Sequence, residues 1–474
     1  MTTPAVFLDR DGTLIEDAGF LRTVDQVQFF PQTFTALRRL RDAFALFIVT
    51  NQSGVAKGEI THEQAQTVNN FVVQRLREEG IDIRAVYCCP HERADGCDCI
   101  KPNPYFRNRA EREHQIDLAR SFTVGDHPCD VELAAGVGAS GIYVLTGHGA
   151  KHRDELQAPC LVVDDIGAAA DAIAVAHAVA LLREGGVVAI PTETVYGLGA
   201  DAMNEAAVER VFRIKGRPTN HPLIVHLGEA SQMSEWVREV PDLAATLAER
   251  FWPGPLTLIL PKSSRVGDWV TGGQDSVGLR VPAHPLARKV LKEFGGGVAA
   301  PSANRFGQVS PTTAEHVRQD LGTDVDFIVD GGTCNIGIES TIVSLLSPEP
   351  VILRPGGVTQ EEIEAALNRR VAVAHAAAVR APGQLNSHYA PRAAVVLVAP
   401  HELEQQAAAM RAAGTKFRIL NEADLAPEML YSALRRADAE GATLILASPP
   451  TESGLGLAVA DRLRKAAAPR PALE

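Results

Sequence analysis

Two stretches of the chain gather side chains that could do chemistry. In the first, Val6 to Thr13 reads Val-Phe-Leu-Asp-Arg-Asp-Gly-Thr, which sets Asp9 and Asp11 just beyond an apolar run, with Gly12 allowing a tight turn. Neighbouring carboxylates repel, and the arrangement makes sense if a divalent cation neutralises them. A second acidic group, Asp126 and Asp130 in Gly-Asp-His-Pro-Cys-Asp, follows another apolar run. Between the two lie Thr50-Asn51, directly after Phe47–Val49, and Lys101. A hydroxyl, an amide, an ammonium and carboxylates able to hold Mg2+ make a phosphoryl-transfer set. An isolated Asp-x-Asp would be a solvated turn, but four such elements at successive strand ends are not.

The second stretch is 186–227, GVVAIPTETVYGLGADAMNEAAVERVFRIKGRPTNHPLIVHL. An apolar strand delivers two threonines and Tyr196 into a glycine-rich turn. A helix follows and ends in Lys215-Gly216-Arg217-Pro218, and a further strand runs to His226. Cations beside hydroxyls suit a small anionic substrate such as a nucleotide phosphate. Lys and Arg at a helix end also serve the helix dipole, so this fragment alone leaves both readings open. No Gly-x4-Gly-Lys-Ser/Thr sequence occurs, so phosphates are not expected on a P-loop.

Elements must bring these residues together. Over the first ~150 residues, short apolar runs at Ala5–Leu8, Leu46–Val49, Val86–Cys88, Phe122–Val124 and Ile142–Leu145 alternate with helical spacing such as Phe34–Leu37–Leu40 and Val68–Val72–Leu76. That pattern predicts a parallel sheet with helices on both faces, with ligands at the carboxyl ends of its strands. Residues 147–165 read as an exit from this domain, and the Ala-rich 166–183 as the opening helix of the next. Strands at Val395–Val398, Phe417–Leu420 and Leu444–Leu446 predict a small Rossmann-like layer closed by a helix at Gly456–Ala468. The 474 residues suit about three domains at ~150 residues each.

Net charge is −12, which argues against a surface built to bind nucleic acid. No uncharged apolar run reaches the ~18 residues of a membrane helix. The start, MTTPAVFLDRDGT, lacks the basic and apolar regions of a signal peptide, so the expected compartment is the cytoplasm. Four of the seven cysteines, Cys88, Cys89, Cys97 and Cys99, crowd together, which in such a chain points to a metal site. Cys89, His91, Cys97 and Cys99 supply three thiolates and an imidazole, a closed tetrahedral set for structural zinc.

From about residue 173 onward the chain resembles the threonylcarbamoyl-AMP synthases with their YrdC-like fold. The resemblance rests on PTETVYGLGA, KGRPxxxPLIVH, SVGLRVP, APSANRFGQVSPT, ESTIV and ILRPG. It implies that L-threonine, bicarbonate and ATP are converted to L-threonylcarbamoyladenylate and pyrophosphate, with the product handed to a tRNA-modifying transferase. By position, Thr194, His226, Arg280 and Ser340 would bind L-threonine. Lys215, Arg217, His221, Ser276, Ser302, Asn304, Ser310 and Arg354 would line ATP, and Tyr389 in PGQLNSHYAP would lie on a linker closing over the nucleotide. His221 stands where relatives commonly have Asn.

Residues 4 to 150 resemble the haloacid-dehalogenase-type phosphatases. There Asp9 would be the nucleophile, Asp11 the general acid and base, and Thr50 and Lys101 the phosphoryl-binding pair. Asp9, Asp11 (through its carbonyl) and Asp126 would hold Mg2+, with Asp130 either ligating it directly or supporting those ligands. The Cys-x-His…Cys-x-Cys insert, FLDRDGTLIEDAGFL and TNQSGVAKG are similar to the D-glycero-D-manno-heptose-1,7-bisphosphate phosphatases, which cleave the 7-phosphate. Ile100 replaces the usual Arg before Lys101, so histidinol phosphate or another sugar phosphate stays open.

The expected architecture is α/β throughout: a Rossmann-like phosphatase domain (1–152), a YrdC-like domain with a twisted mixed sheet (165–370), a linker or lid (371–392) and a small Rossmann-like C-terminal domain (393–474). The competing reading is an RNA-binding YrdC-like module without synthase activity. Neither direct nucleic-acid binding nor a membrane is expected.

Overall fold

In the computed structural model, residues 2–374, 379–385 and 387–469 are described. Parts of the sequence-predicted linker (375–378 and 386) and the last five residues of the predicted C-terminal domain lie outside them. The chain divides into two compact units, Met1–Ala176 and His177–Glu474.

The first unit is built on a six-stranded sheet: β1 (Thr3–Leu8), β2 (Ala45–Asn51), β3 (Ile83–Cys89), β4 (Ile116–Gly125), β5 (Ser140–Val144) and β6 (Leu161–Val163). The order is β3-β2-β1-β4-β5-β6 and every pairing is parallel. Alternation along the central strands feeds two cores. Val6, Leu8, Leu46 and Ile48 pack with Val68, Val72 and Leu76, while Ala5, Phe7, Phe47 and Val49 join the opposite cluster with Tyr87 and Phe106. Helix His62–Glu78 supplies the first set at the spacing seen in the sequence. Its start is fixed by a capping box in which Thr61 Oγ1 accepts from Gln64 N, worth about 1 kcal/mol.

Two features depart from the sequence reading. The segment taken as an exit contains β6, so the first sheet runs past residue 152. Helix Ile166–Arg183, taken as the start of the second domain, buries Ile166, Ala169, Ala170 and Ile173 in the first core, and the division between units falls inside it. By length and composition this helix could also cross a membrane, although it carries Asp171, and 56% of it is buried within the fold.

The second unit holds a ten-stranded mixed sheet: β7 (Val188–Ile190), β8 (Gly197–Asp201), β9 (Ile224–His226), β10 (Leu256–Pro261), β11 (Ser276–Arg280), β12 (Val298–Ala299), β13 (Phe327–Ile328), β14 (Thr341–Ser344), β15 (Val351–Arg354) and β16 (Ala372–Val373). Their order is β13-β7-β8-β12-β9-β11-β10-β14-β15-β16. A separate parallel sheet contains β17 (Ala394–Leu397), β18 (Phe417–Ile419) and β19 (Leu444–Ala447), in the order β17-β19-β18. Its core, with Val395, Leu430, Tyr431, Leu434 and Leu463, also contains Val195, Ile338 and Tyr389.

Candidate active sites

In the first unit, β1, β2 and β4 end at one cavity of about 390 Å3, lined among others by Asp9, Asp11, Thr50, Lys101, Asp126 and Asp130. The side-chain oxygens of Asp9, Asp126 and Asp130 converge within 4.8 Å of one another. Lys101 Nζ, buried, donates to Asp9 Oδ1 at 2.5 Å and to the carbonyl of Val49 at 2.8 Å, and lies 2.5 Å from Asp130 Oδ1. One ammonium does not balance three carboxylates. Burial, reinforced by the neighbouring Asp130, pushes Asp126 up to about 7. Burial likewise drives Asp9 well above the usual carboxylate range, against the pull of Lys101. Such a cluster fits a divalent cation.

Asp11 stands apart from these three. Its carboxylate accepts from Arg10 Nη2 at 2.8 and 2.9 Å and from Gln52 Nε2 at 2.7 Å, and Arg10 is in turn fixed by Asn69 at 2.6 Å. Gln52 also donates to Thr50 Oγ1 at 2.8 Å. Gly12 is needed twice over. Its φ is +78°, and a Cβ there would come within 2.1 Å of Asp126 Oδ2. Arg10, Gln52 and Asn69 were missed in the sequence, although Arg10 sits inside the quoted Asp-Arg-Asp.

The sulfurs of Cys89, Cys97 and Cys99 and Nδ1 of His91 form a second group within 4.8 Å. The three sulfur–sulfur distances are 3.4, 3.6 and 3.7 Å. Tetrahedral zinc with Zn–S bonds of ~2.3 Å requires edges of roughly 3.8 Å, so the four donors fit that ion. Cys88 stands outside the group.

In the second unit the turn after β7, the ends of β9, β11 and β15, and the segment before β14 enclose a small cavity of about 50 Å3. It brings together Thr194, His226, Arg280, Ser340, Arg217, Ser302, Arg354 and Tyr389. Five other sequence candidates do not line it. Lys215 is buried and turns Nζ to the carbonyls of Ser302 and Asn304. Asn304 donates to the carbonyls of Arg305 and Gln308, and Ser310 donates to Glu339 Oε1 at 2.6 Å. His221 packs edge-on to Phe306, and Ser276 lines an adjacent crevice with Thr257, Gln274 and Arg380.

Two carboxylates were missed in the sequence: Glu339, which lines this cavity, and Glu193, which sits behind it against Arg280. Arg280 donates Nη1 to Thr194 Oγ1 at 2.9 Å and Nε to the carbonyl of Gly254 at 3.2 Å, while its Nη2 lies 2.8 Å from Glu193 Oε1. Glu339 is met by Arg462 at 2.8 Å. Burial alone would raise Glu339, but Arg462, Arg354 and the Ser310 hydroxyl outweigh it and hold the carboxyl at about 2. Burial, aided by Arg280, depresses His226 to about 3, so its imidazole is neutral. Arg217 donates Nη2 to the carbonyl of Pro222 at 3.0 Å, but its buried Nε has no protein partner. Both carboxylates are thus neutralised by arginine, and guanidinium donors and hydroxyls face the cavity. Tyr389 lies over it at φ +60°, with its buried hydroxyl unpartnered.

Comparison with known proteins follows the same division. Residues 180–356 match the family model described as "Telomere recombination" (Sua5/YciO/YrdC), and residues 358–468 match that of the threonylcarbamoyl-AMP synthase C-terminal domain. Residues 98–169 match a model described as HAD-hydrolase-like. A threonylcarbamoyl-AMP synthase of Pyrococcus abyssi is 43% identical over 314 residues, covering 61% of this chain and 92% of that protein. The crystal structure of P. abyssi Sua5 complexed with L-threonine is 42% identical, covers 63% of this chain and 94% of its own, and superposes with a TM-score of 0.59. A D,D-heptose 1,7-bisphosphate phosphatase structure from B. bronchiseptica, complexed with magnesium and phosphate, is 31% identical over 36% of this chain and 98% of its own, with a TM-score of 0.34.

Proposed function

This chain belongs to the threonylcarbamoyl-AMP synthase family, and from that membership we propose that its second unit joins L-threonine, bicarbonate and ATP into L-threonylcarbamoyladenylate. The observation that carries the proposal is the cavity of Arg217, Arg280 and Arg354, whose one lining carboxylate, Glu339, is cancelled by Arg462, while Glu193 outside the lining pairs with Arg280. The reaction assembles three anions: the threonine carboxylate, the carbamate formed on its amine, and the triphosphate. The carbamate oxygen attacks the α-phosphorus, the bond to the β-phosphate oxygen breaks, and pyrophosphate leaves. Arg280, held by Glu193 and the Gly254 carbonyl, meets the threonine carboxylate beside Thr194 and Ser340. Arg217, with its spare Nε, and Arg354 meet the phosphates. Neutral His226 accepts or donates one hydrogen bond without adding charge. Orientation of this kind can supply ~7–11 kcal/mol of the barrier. Tyr389 and its linker act as a lid that keeps water from the mixed anhydride, and the small volume beneath it requires that lid to open for ATP. The product passes to a tRNA-modifying transferase. Pyrophosphate release from ATP that depends on both threonine and bicarbonate tests the proposal. RNA binding without such release would replace it.

For the first unit we propose phosphomonoester hydrolysis. Mg2+ bound by Asp9, Asp126, Asp130 and the Asp11 carbonyl would offset charge on the transferring phosphoryl group. Asp9 attacks phosphorus while Asp11, aimed by Arg10 and Gln52, protonates the leaving oxygen. Asp11 then takes a proton from the water that hydrolyses the aspartyl phosphate. Lys101 and Thr50 hold the phosphoryl oxygens. Structural zinc on Cys89, His91, Cys97 and Cys99 fixes the loop between β3 and Lys101, which should appear as one zinc per chain by metal analysis. The same loop carries Arg93 to the cavity rim, free of any carboxylate partner among the described residues. That cation supports a substrate with a second anionic group, such as D-glycero-D-manno-heptose 1,7-bisphosphate cleaved at the 7-phosphate. Phosphate release from heptose bisphosphates, compared with histidinol phosphate and sugar monophosphates, tests this. Equal release from all of them removes the bisphosphate assignment.

A further inference from the structure

The chemistry above leaves one buried ion pair without a role. Glu339 lines the synthase cavity from the segment before β14; Ser310 Oγ donates to its Oε1, but its other two partners come from the far layer. Its carboxylate accepts from Tyr431 Oη at 2.7 Å, on helix Pro427–Ala439, and from Arg462 Nε at 2.8 Å, on the closing helix Leu455–Ala467. Arg462 is fully enclosed. It also donates to Asp461 at 2.5 Å and to the carbonyl of Pro355 at 3.0 Å, and its guanidinium lies 5.0 Å from the centre of the Tyr389 ring. Arg354 faces the same wall, but its hydrogen bonds go to the Ser340 carbonyl and hydroxyl and the Pro382 carbonyl, none of them charged. A carboxylate buried beside bound anions opposes their binding unless a cation cancels it. Arg354 is the other cation whose charge acts on the Glu339 carboxyl, so if Arg462 did not hold Glu339, Arg354 is placed to do so.

We propose that Arg462 is a positioning residue of the synthase. From the closing helix it cancels Glu339 and thereby keeps Arg354 available to an anionic group of the substrate. The three-stranded layer is then an electrostatic part of the anion site as well as a cover over it. The proposal rests on the synthase reading.

The test uses the full chain with Arg462→Met, Glu339→Gln and the double substitution, measuring KM and kcat of pyrophosphate release and, separately, ATP affinity by titration calorimetry. Arg462→Met should weaken ATP binding and raise KM at least tenfold, with kcat at saturation changing less. The double substitution, which removes both charges at similar volume, should recover affinity to within about threefold of wild type. Wild-type affinity in Arg462→Met overturns the proposal. So does a double variant as weak as the single one, which would mean that packing alone is at stake. If Arg462→Met does not fold, the double variant decides: folded and active supports the proposal, whereas unfolded or inactive overturns it. A wild-type chain that binds ATP in this pattern but releases no pyrophosphate would defeat the synthase reading and leave the charge argument standing. A wild-type chain that binds no ATP defeats both.

Discussion

The two candidate sites solve opposite charge problems with the same residue types. In the first unit three carboxylates share one lysine, and the remaining negative charge calls for a divalent cation. In the second, each carboxylate has its own arginine, and the charge left over calls for anions. Metal-assisted phosphoryl transfer needs the first arrangement, and an adenylation that gathers three anions needs the second. What separates them is the ratio of cation to carboxylate after local pairing, which the chain's overall negative charge does not reveal.

The contrast can be broken most severely at the nucleophile. Asp9→Asn should cut metal-dependent phosphate release by roughly 10³-fold or more while threonine-dependent pyrophosphate release is unchanged. A loss of both activities would mean that the sites are not independent. Next, Arg280→Lys keeps the charge but loses the planar fork, so KM for threonine should rise roughly tenfold to a hundredfold with ATP affinity little altered. An equal effect on both substrates would remove Arg280 from the threonine subsite. Tyr389→Phe removes a hydroxyl that has no protein partner, so thermal stability should stay within about 0.5 kcal/mol. Turnover should fall if that hydroxyl meets the nucleotide, and steady-state assay beside calorimetric melting separates the two. The smallest effect is in pH. Burial depresses His226 and His388 to about 3. The unfolded chain takes up these protons near pH 6.5 and the folded chain does not. Their contribution is therefore complete above pH 6.5 and is lost as pH falls toward 3. Melting measured from pH 7 to 4.5 should show a shallower loss in His388→Gln than in wild type.

Much of this was legible in the sequence because the residues sit where period and punctuation agree. Asp9, Thr50 and Asp126 each follow a run of four or more apolar residues or a strand-end glycine, and parallel strands must deliver such ends to one edge. The convergence of Cys89, His91, Cys97 and Cys99 was legible from donor type and spacing. Residues that act by neutralising others were not. Glu193 lies between Thr192 and Thr194 in the turn after β7, and Glu339 lies between Ile338 and Ser340 just before β14; a carboxylate buried in such a place needs a partner that only tertiary structure names. Arg462, on the closing helix Leu455–Ala467, is that partner for Glu339, more than a hundred residues away in sequence. Lys215 illustrates the converse. Its position at a helix end made it an anion candidate, but the Gly216 cap at φ +63° and the carbonyls of Ser302 and Asn304 draw it inward. β6 was missed because three apolar residues after a Gly- and Pro-containing stretch give no period to read.

The helix that crosses residue 176 dictates how the protein can be dissected. A fragment ending at 152 would lack both the edge strand Leu161–Val163 and the Ile166–Ile173 face, leaving Val144 and its neighbours wet and prone to self-association. A complementary piece beginning at 177 would start in mid-helix, with Ala178, Val179 and Leu182 still needing cover but no capped first turn before them. Freestanding halves would therefore each require their own copy of the helix Ile166–Arg183, and the first half the strand Leu161–Val163 as well.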